Sequence, residues 1–401
     1  MKRLIKILTL SLILIVCACG IFACADSDKT EGKTGLLYKK FGGDDFYTVY
    51  GYVDEGKGVT ELDIGAAVPD DVVIGRIKAN AFSGNDTLLS VIVPSTVETI
   101  DAAAFAGMRK LEKITLPFIG ASATGDATLG DTVSGEDKAV DAARTFGYVF
   151  GTEKYNYGIA VNQYYDGTNS NTYYLPLSLK EVTVNPESEY ALPMYAFSGN
   201  TRITVINLGD NVVKIGEGAF MNCSLLDTVK IPAAVTELGN KAFSGCTGLK
   251  NKNTETGKGF SFENNSTLES IGDEAFMGVS ISELKIPSSV TSIGERAFKE
   301  SKLKSVELPA SVTEIGSYAF YSCKSLKTVK VSAVTAIGVY AFYDCDALTS
   351  YGQTLATDSV DLTGVTELGA MSFANIDRTL SVTSPLNDAI LNDAFYGTER
   401  A

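Results

Sequence analysis

The sequence predicts a mostly β solenoid, an elongated body of stacked 22–23-residue coils with parallel sheets, short turns and short helical segments. Three observations predict it. Phe recurs at 82, 105, 197, 220, 243, 276, 298, 320, 342, 373 and 395, with gaps of 22 or 23 residues dominating. Each of these Phe residues follows Ala, except at Ser372-Phe373. Between them lie short apolar-x-apolar pieces such as Val306-Glu-Leu308 and Val329-Lys-Val331, which alternate as a half-buried strand does. A repeat with a period of roughly 20 to 50 residues decides the fold before any single motif does.

Each piece of the repeat has a physical task. In Leu303-Lys-Ser-Val306-Glu-Leu308 and Leu326-Lys-Thr-Val329-Lys-Val331 the last apolar pair is two residues apart, so both point to one face and the residue between them to the other. The Pro that follows in Ile286-Pro and Leu308-Pro cannot donate to a ladder and ends the strand. The step Val290-Thr-Ser-Ile293-Gly294 returns along the opposite side, with Gly expected at a tight corner that a side chain would obstruct. Ala297-Phe298 then closes the coil, Ala small enough for close approach of the backbone and Phe large enough to fill the centre. The same frame recurs at Leu308 to Phe320 and at Ile231 to Phe243, and the longer Phe gaps of 33 and 31 read as one repeat with an insertion of about ten residues. One coil cannot bury both faces, so coils stack about 4.8 Å apart where their strands pair. Eleven stations then span on the order of 50 Å. About five apolar side chains per coil, at roughly 1.5 to 3 kcal/mol each, supply a core made of local contacts.

This pattern closely resembles the BspA-like leucine-rich repeat family of bacterial cell-surface proteins, from about Tyr47 to the end of the chain. The irregular stretch Leu116-Pro-Phe118-Ile-Gly120, followed by Phe146-Gly-Tyr-Val-Phe-Gly151, is similar to the divergent repeat of such proteins. The resemblance implies a right-handed leucine-rich-repeat solenoid and a role in adhesion and partner binding. No wall-anchoring motif or appended enzyme module is visible in the sequence. The chain stops six residues after Phe395, which predicts a C-terminal cap that is missing or very short.

At the other end, Lys2, Arg3 and Lys6 precede an uncharged run from Ile7 to Ala25, which turns polar at Asp26: an export signal. The run is 19 residues long, enough on length alone for an uncleaved anchor. Gly20-Ile-Phe-Ala-Cys24 resembles a bacterial lipoprotein cleavage box, and Cys24 is the expected lipidation site. Val16-Cys17-Ala18-Cys19 is a second candidate, but cleavage there leaves an apolar tail in water. The organisation expected is a signal peptide over 1–23, a lipid-anchored tether over 24–35, an N-terminal capping hairpin and first coil over 36–79, and the repeat solenoid over 80–401. An aromatic-rich divergent insertion interrupts it at 120–175. Phe46 to Val53 is the expected capping strand, with Asp54 to Gly58 as its turn. The expected location is the cell surface, with membrane contact only through the N-terminal anchor.

Composition narrows the function. With 34 basic and 48 acidic side chains the net charge is −14, and −17 once Lys2, Arg3 and Lys6 are removed with the leader. An acidic surface does not neutralise phosphates, so no nucleic acid is expected as a partner. The absence of His removes Ser-His-Asp and Cys-His nucleophile pairs, histidine bases and His-containing zinc sites. No catalytic residues, cofactor or metal are expected, and the protein is read as a non-enzyme.

Four Cys share one column: Cys223, Cys246, Cys323 and Cys345 each follow a repeat Phe by three residues. The plain reading is a small buried turn position. Oxidation of Cys223 with Cys246 and of Cys323 with Cys345 is the alternative in an exported protein, although in-register stacking is poor geometry for a disulfide.

Two surfaces are candidate binding sites. Strand positions facing away from the core form a column that includes Ile92, Thr115, Asn207, Lys230, Lys285, Glu307, Lys330, Asp361 and Ser381, with Thr228 and Glu283 in the column beside it. Such a ladder is what a solvated sheet face looks like; it is also a polar docking face for a host, community or envelope protein. The second surface is the insertion, where nine of the 29 residues from Phe146 to Tyr174 are Phe or Tyr. Tyr155, Tyr157, Tyr164, Tyr165, Tyr173 and Tyr174 either pack the irregular coil or stack on the sugar rings of a glycan. Function therefore reads as an adhesin or protein-interaction scaffold acting through the repeat face, with a carbohydrate-binding surface protein as the alternative.

Overall fold

The structure is a computed structural model that describes residues 30–31, 35–53, 58–122, 142–353 and 356–401. The signal peptide, Cys24, the tether up to residue 29, most of the expected 54–58 turn and residues 123–141 of the insertion lie outside the described residues.

The repeat Phe residues build one column through the molecule. Successive rings stack at 5.2 Å for Phe82–Phe105, 5.5 Å for Phe197–Phe220, 4.9 Å for Phe220–Phe243, 5.5 Å for Phe276–Phe298 and 5.1 Å for Phe373–Phe395. Where the repeat diverges, the short helix Phe146–Val149 keeps the column whole: Phe150 lies 6.4 Å from Phe105, and Phe146 lies 5.0 Å from Phe197. All of these rings are buried. The backbone repeats with them, because most of the repeat Phe N–H groups donate to the Ala carbonyl of the next coil, as from Phe220 to Ala242 at 2.8 Å, with Val149 and Ser372 accepting from Phe105 and Phe342.

Each coil contributes one strand to a front sheet and one to a back sheet. The front strands form two parallel seven-stranded sheets, Glu61–Asp63 through Phe260–Phe262 and Glu283–Lys285 through Glu399–Arg400. Their alternation is as expected: in Thr228–Ile231 Val229 and Ile231 are buried and Lys230 exposed. Back strands such as Glu237–Leu238, Ser270–Ile271 and Ser292–Ile293 pair in parallel. Among the described residues the front ladder is interrupted after Phe260–Phe262 and the back ladder after Ser292–Ile293, one coil later. The coil between is therefore tied to its predecessor through the back and to its successor through the front.

Three details differ from the sequence reading. The Gly after each returning Ile is needed for close approach of the preceding coil rather than for a special corner: a Cβ on Gly239 would lie 2.6 Å from the Glu217 backbone nitrogen, and one on Gly338 would lie 2.5 Å from that of Ser317. The left-handed positions fall elsewhere, in two columns: two residues before the repeat Phe, as at Asn80, Ala103, Lys241, Arg296 and Tyr340, and two residues after it, at Gly84, Gly107, Gly199, Asn222, Gly245, Gly278, Glu300, Ser322, Asp344, Asn375 and Gly397. The capping strand Tyr47–Tyr52 finds its antiparallel partner upstream, in Leu36–Lys40, so that hairpin closes through residues 41–46 and not through residues beyond Val53. Thr30–Glu31 adds an edge strand to Leu36–Lys40. At the far end the helix Asp388–Ala394, capped by the Asn387 side chain, replaces a back strand, and the Arg400 guanidinium lies 6.0 Å over the Phe395 ring.

Candidate interaction surfaces

The outward columns of the front sheet run in register across the first sheet. Ile92 pairs with Thr115, Thr115 with Thr183, Thr183 with Asn207, Asn207 with Lys230 and Lys230 with Ser261. In the second sheet Lys285 pairs with Glu307 and Glu307 with Lys330, while Glu283, Ser305 and Thr328 form the neighbouring column. Thr228 occupies that neighbouring column in the first sheet, beside Val205. Two expectations are corrected. The three lysines do not share one sheet, because the interruption separates Lys230 from Lys285 and Lys330. And Asp361 is followed in its column by Thr383, not Ser381, because it is Val382 that pairs with Val360.

The exposed charges on this face are largely engaged. Lys230 is paired with Glu263, and Lys330 with Glu307 at 2.8 Å. Hydrogen bonding from Lys230 holds the Glu263 carboxyl below its ordinary range, and hydrogen bonding from Lys330 does the same for Glu307. Lys113 meets Glu181 at 3.3 Å, and Asn207 donates to Glu181 at 3.0 Å and to Thr183 at 3.3 Å. Lys285 is exposed and has no ion pair among the described residues. The result is a flat polar surface backed by buried Val and Ile.

The six tyrosines of the insertion do not converge. Gly158–Tyr164 and Ser170–Pro176 form an antiparallel hairpin whose inward residues include Val161, Gln163, Tyr173 and Leu175. Tyr173 is buried and donates to the Ala142 carbonyl at 3.0 Å; its ring stands where a Cβ on Gly147 would be, 2.3 Å away. Burial pushes the Tyr155 hydroxyl up, and its ring covers Gly158. Tyr164 and Tyr174 are half-buried on the other side of the hairpin, and Tyr165 is half-buried in its turn. Tyr157 alone is widely exposed, at 68%, with a left-handed φ of 67°. It borders a hollow of about 440 Å³ lined by Asp86, Arg109, Lys110, Leu177 and Ser178, where Arg109 and Asp86 pair at 2.9 Å.

The four column cysteines are free and buried. Each thiol donates to the carbonyl of the Phe one coil earlier: Cys223 to Phe197 at 3.1 Å, Cys246 to Phe220 at 2.9 Å, Cys323 to Phe298 at 3.0 Å and Cys345 to Phe320 at 3.1 Å. Thr398 does the same to Phe373 at 2.8 Å. Burial pushes the Cys223 and Cys323 thiols up to about 12, and the other two well above their ordinary value. A thiol so protonated is not a nucleophile. Among the described residues no group of acidic or Cys side chains is arranged to hold a metal, and no helix is long and apolar enough to cross a membrane.

The family model for the BspA type leucine-rich repeat region matches residues 71–126, 167–266 and 255–357, in six copies covering well over half of the chain. The chain belongs to the BspA-type leucine-rich repeat family. No curated protein sequence matches it. Among solved structures it is similar to a leucine-rich repeat protein of Bacteroides ovatus, with 19% identity, 95% of this chain and 99% of that chain covered, and a TM-score of 0.46. A leucine-rich cell surface protein of Faecalibacterium prausnitzii matches at 20% identity over 93% and 99% of the two chains, with a TM-score of 0.36. The pneumococcal vaccine antigen PcpA matches at 16% identity over 90% and 82%, with a TM-score of 0.32. Within this BspA-type chain, sequence reasoning missed an aromatic cluster on the turn side. Tyr318 stacks on Tyr340 at 5.0 Å and Tyr321 on Tyr343 at 5.2 Å, with the Arg296 guanidinium 4.7 Å over Tyr318. Its signal was Tyr-Ala-Phe-Tyr, repeated at 318–321 and 340–343.

Proposed function

We propose that this chain is a non-catalytic bacterial cell-surface lipoprotein, lipidated at Cys24, that acts as an adhesin or protein-interaction scaffold through its front sheet. The observation that carries this reading is the in-register polar column from Ile92 to Ser261, continued by Lys285, Glu307 and Lys330 on a second sheet. Repeat arrays expose such long faces, and affinity on them is assembled from many weak contacts along the stack. Lys285, which has no ion pair among the described residues, can meet a carboxylate of a partner. Replacing Lys230, Lys285 and Lys330 together by Glu is expected to weaken binding of the partner protein at least tenfold. Exposed ion pairs are worth about 0–1 kcal/mol, so the melting temperature falls by only a few degrees. Partner binding that survives the triple replacement would show that another face is used.

A second reading has its own observation. Tyr157, held exposed beside Arg109, Asp86 and Leu177, offers a ring face and hydrogen-bonding groups to one sugar unit. A glycan array probed with the wild-type chain and with Tyr157→Ala tests it: glycan binding lost in the variant supports a carbohydrate-binding role, and no binding to any glycan removes it.

A further inference from the structure

The two insertions enlarge the front sheet in different ways. Between Phe342 and Phe373 the chain supplies two paired strands, Ser350–Gly352 and Ser359–Asp361, and the ladder runs unbroken from Thr328–Lys330 to Thr379–Thr383. Between Phe243 and Phe276 the same construction begins: Phe260–Phe262 pairs with Thr228–Ile231, and Asn251 bridges Phe260 in parallel on its other side. The chain then leaves the sheet in a turn, with the Gly257 N–H donating to the Asn253 carbonyl at 2.8 Å. Past Asn251 the added position holds no strand, and among the described residues Phe260–Phe262 and Glu283–Lys285 are each the last strand of their sheets.

The back of the same coils stays closed. Ser270–Ile271 pairs with both neighbours, and the Phe243, Phe276 and Phe298 rings follow at 5.5 Å each. The front therefore opens as a wedge of about 1080 Å³, lined by Phe262, Glu263, Leu284, Lys285, Glu307 and Lys330 among others. The core stays buried here but comes nearer the surface: Leu284 is 8% exposed and Phe260 and Ile286 4%, against 0% for Val229 and Val329. Asn251 shows what the edge recognises. Its side-chain carboxamide, the chemical equivalent of a peptide unit, accepts from the Ser282 N–H at 2.7 Å and the Glu283 N–H at 3.3 Å, and donates to the Glu283 carbonyl at 3.3 Å.

We propose that this wedge takes an extended peptide strand from another protein, which pairs its main chain with the facing edges beyond Asn251 and turns an apolar side chain toward Leu284 and Phe262. The inference rests on the interaction-scaffold reading and names the form of the partner. Main-chain pairing supplies affinity and the alternate side chains supply specificity. Lys252, Lys285 and Lys330 are offset by Glu263, Glu283 and Glu307 around the wedge, so the strand carries no required net charge.

The test is to pan a phage-displayed random linear peptide library against the chain from residue 26 onward. Peptides with alternating apolar residues are expected to be enriched. Methylating alternate backbone amides of the synthetic peptides is expected to weaken binding about tenfold or more, because two or three hydrogen bonds are lost. Ser261→Trp and Ser288→Trp, each placing a ring in the wedge from outside the core, are expected to abolish binding, while Glu314→Lys, on an exposed back strand, leaves it unchanged. Circular dichroism melting confirms that the variants fold. No enrichment, indifference to amide methylation, or binding that survives both Trp variants overturns the strand proposal. Each of those results leaves the sheet-face reading standing, since that is judged by the triple lysine replacement on whole partner proteins.

Discussion

Phe298→Ala tests how the stack is held together. Phe298 is fully buried between Phe276 at 5.5 Å and Phe320 at 5.2 Å. Phe220, between Phe197 at 5.5 Å and Phe243 at 4.9 Å, is its match in burial and ring contacts. Truncating either ring is expected to cost about 3–5 kcal/mol from lost transfer energy and the cavity left behind. What differs is the surroundings. In strand ladders the coil carrying Phe298 meets its predecessor through Ser270–Ile271 with Ser292–Ile293 and its successor through Glu283–Lys285 with Ser305–Glu307, beside the backbone bonds of the Phe column on both sides, from Phe276 to Ala297 at 2.7 Å and from Phe298 to Ala319 at 2.8 Å. The coil carrying Phe220 is laddered to both neighbours at front and back. In a solenoid stability is a sum of coil terms and nearest-neighbour terms, so removing Phe298 weakens the joint between two long blocks. Urea unfolding followed by far-ultraviolet circular dichroism is the assay. Phe220→Ala is expected to unfold in one transition with an unchanged slope, and Phe298→Ala in two, or in one with a clearly lower slope. A single transition of unchanged slope for Phe298→Ala would refute the reasoning.

Gly239→Ala, whose Cβ would lie 2.6 Å from the Glu217 nitrogen, is expected to cost about 3 kcal/mol or more in the same urea assay, whereas Gly84→Ala, with open space around it, costs only the left-handed penalty of about 1–2 kcal/mol. In a chain beginning at residue 26, the four column thiols are expected to resist a thiol reagent at pH 8 and to react fully in denaturant; reaction in the native state would contradict their burial. Their raised values make folding more favourable while the unfolded thiols stay protonated. Stability is therefore expected to be fully present below about pH 9 and to fall between 9 and 12 by about 1.4 kcal/mol per pH unit for each of Cys223 and Cys323, checked by melting temperature against pH in wild type and in Cys323→Ser. Glu263 is expected to titrate below its ordinary 4.5, the small stabilisation from its pairing with Lys230 being lost as pH falls through that lowered value; carboxyl chemical shifts that place it at or above 4.5 would deny the pairing.

The repeat was legible because it is written in residue type: Ala-Phe marks the ring column, and Val-x-Ile marks which strand residues face inward. Lys230, Glu307 and Lys330 were placed outward by that alternation, and outward they are. The divergent coil was readable only in part. Phe146 and Phe150 continue the column, but no spacing rule told that Tyr173 would sit over Gly147 while Tyr157 faced solvent; antiparallel pairing in the hairpin decides that. Ser381 was misplaced because the apolar pair Leu380 and Val382 imitates the anchor pair that flanks the outward residue, whereas Val382 is the partner of Val360 and the outward residue follows it. The left-handed turn residues were signalled by Gly at 84, 107, 199, 245, 278 and 397, yet the same position also accepts Glu300, Ser322 and Asp344, where packing of the neighbouring coils overrides the local cost. The insertion beside Asn251 was visible as the 33-residue gap from Phe243 to Phe276, but the wedge it leaves was not. It arises from which edge of the sheet an inserted segment chooses, a long-range decision that local patterning does not carry.

Site-specific photo-crosslinking tests the use of the front face most directly. A photoreactive amino acid placed at Asn207 or Lys285 on the front, and at Ser292 or Glu314 on the back, is irradiated while the chain is presented to cells. Partner adducts at Asn207 and Lys285 with none above background at Ser292 and Glu314 are the expected result; adducts at the back positions, or equally at all four, would contradict a binding role for the front sheet.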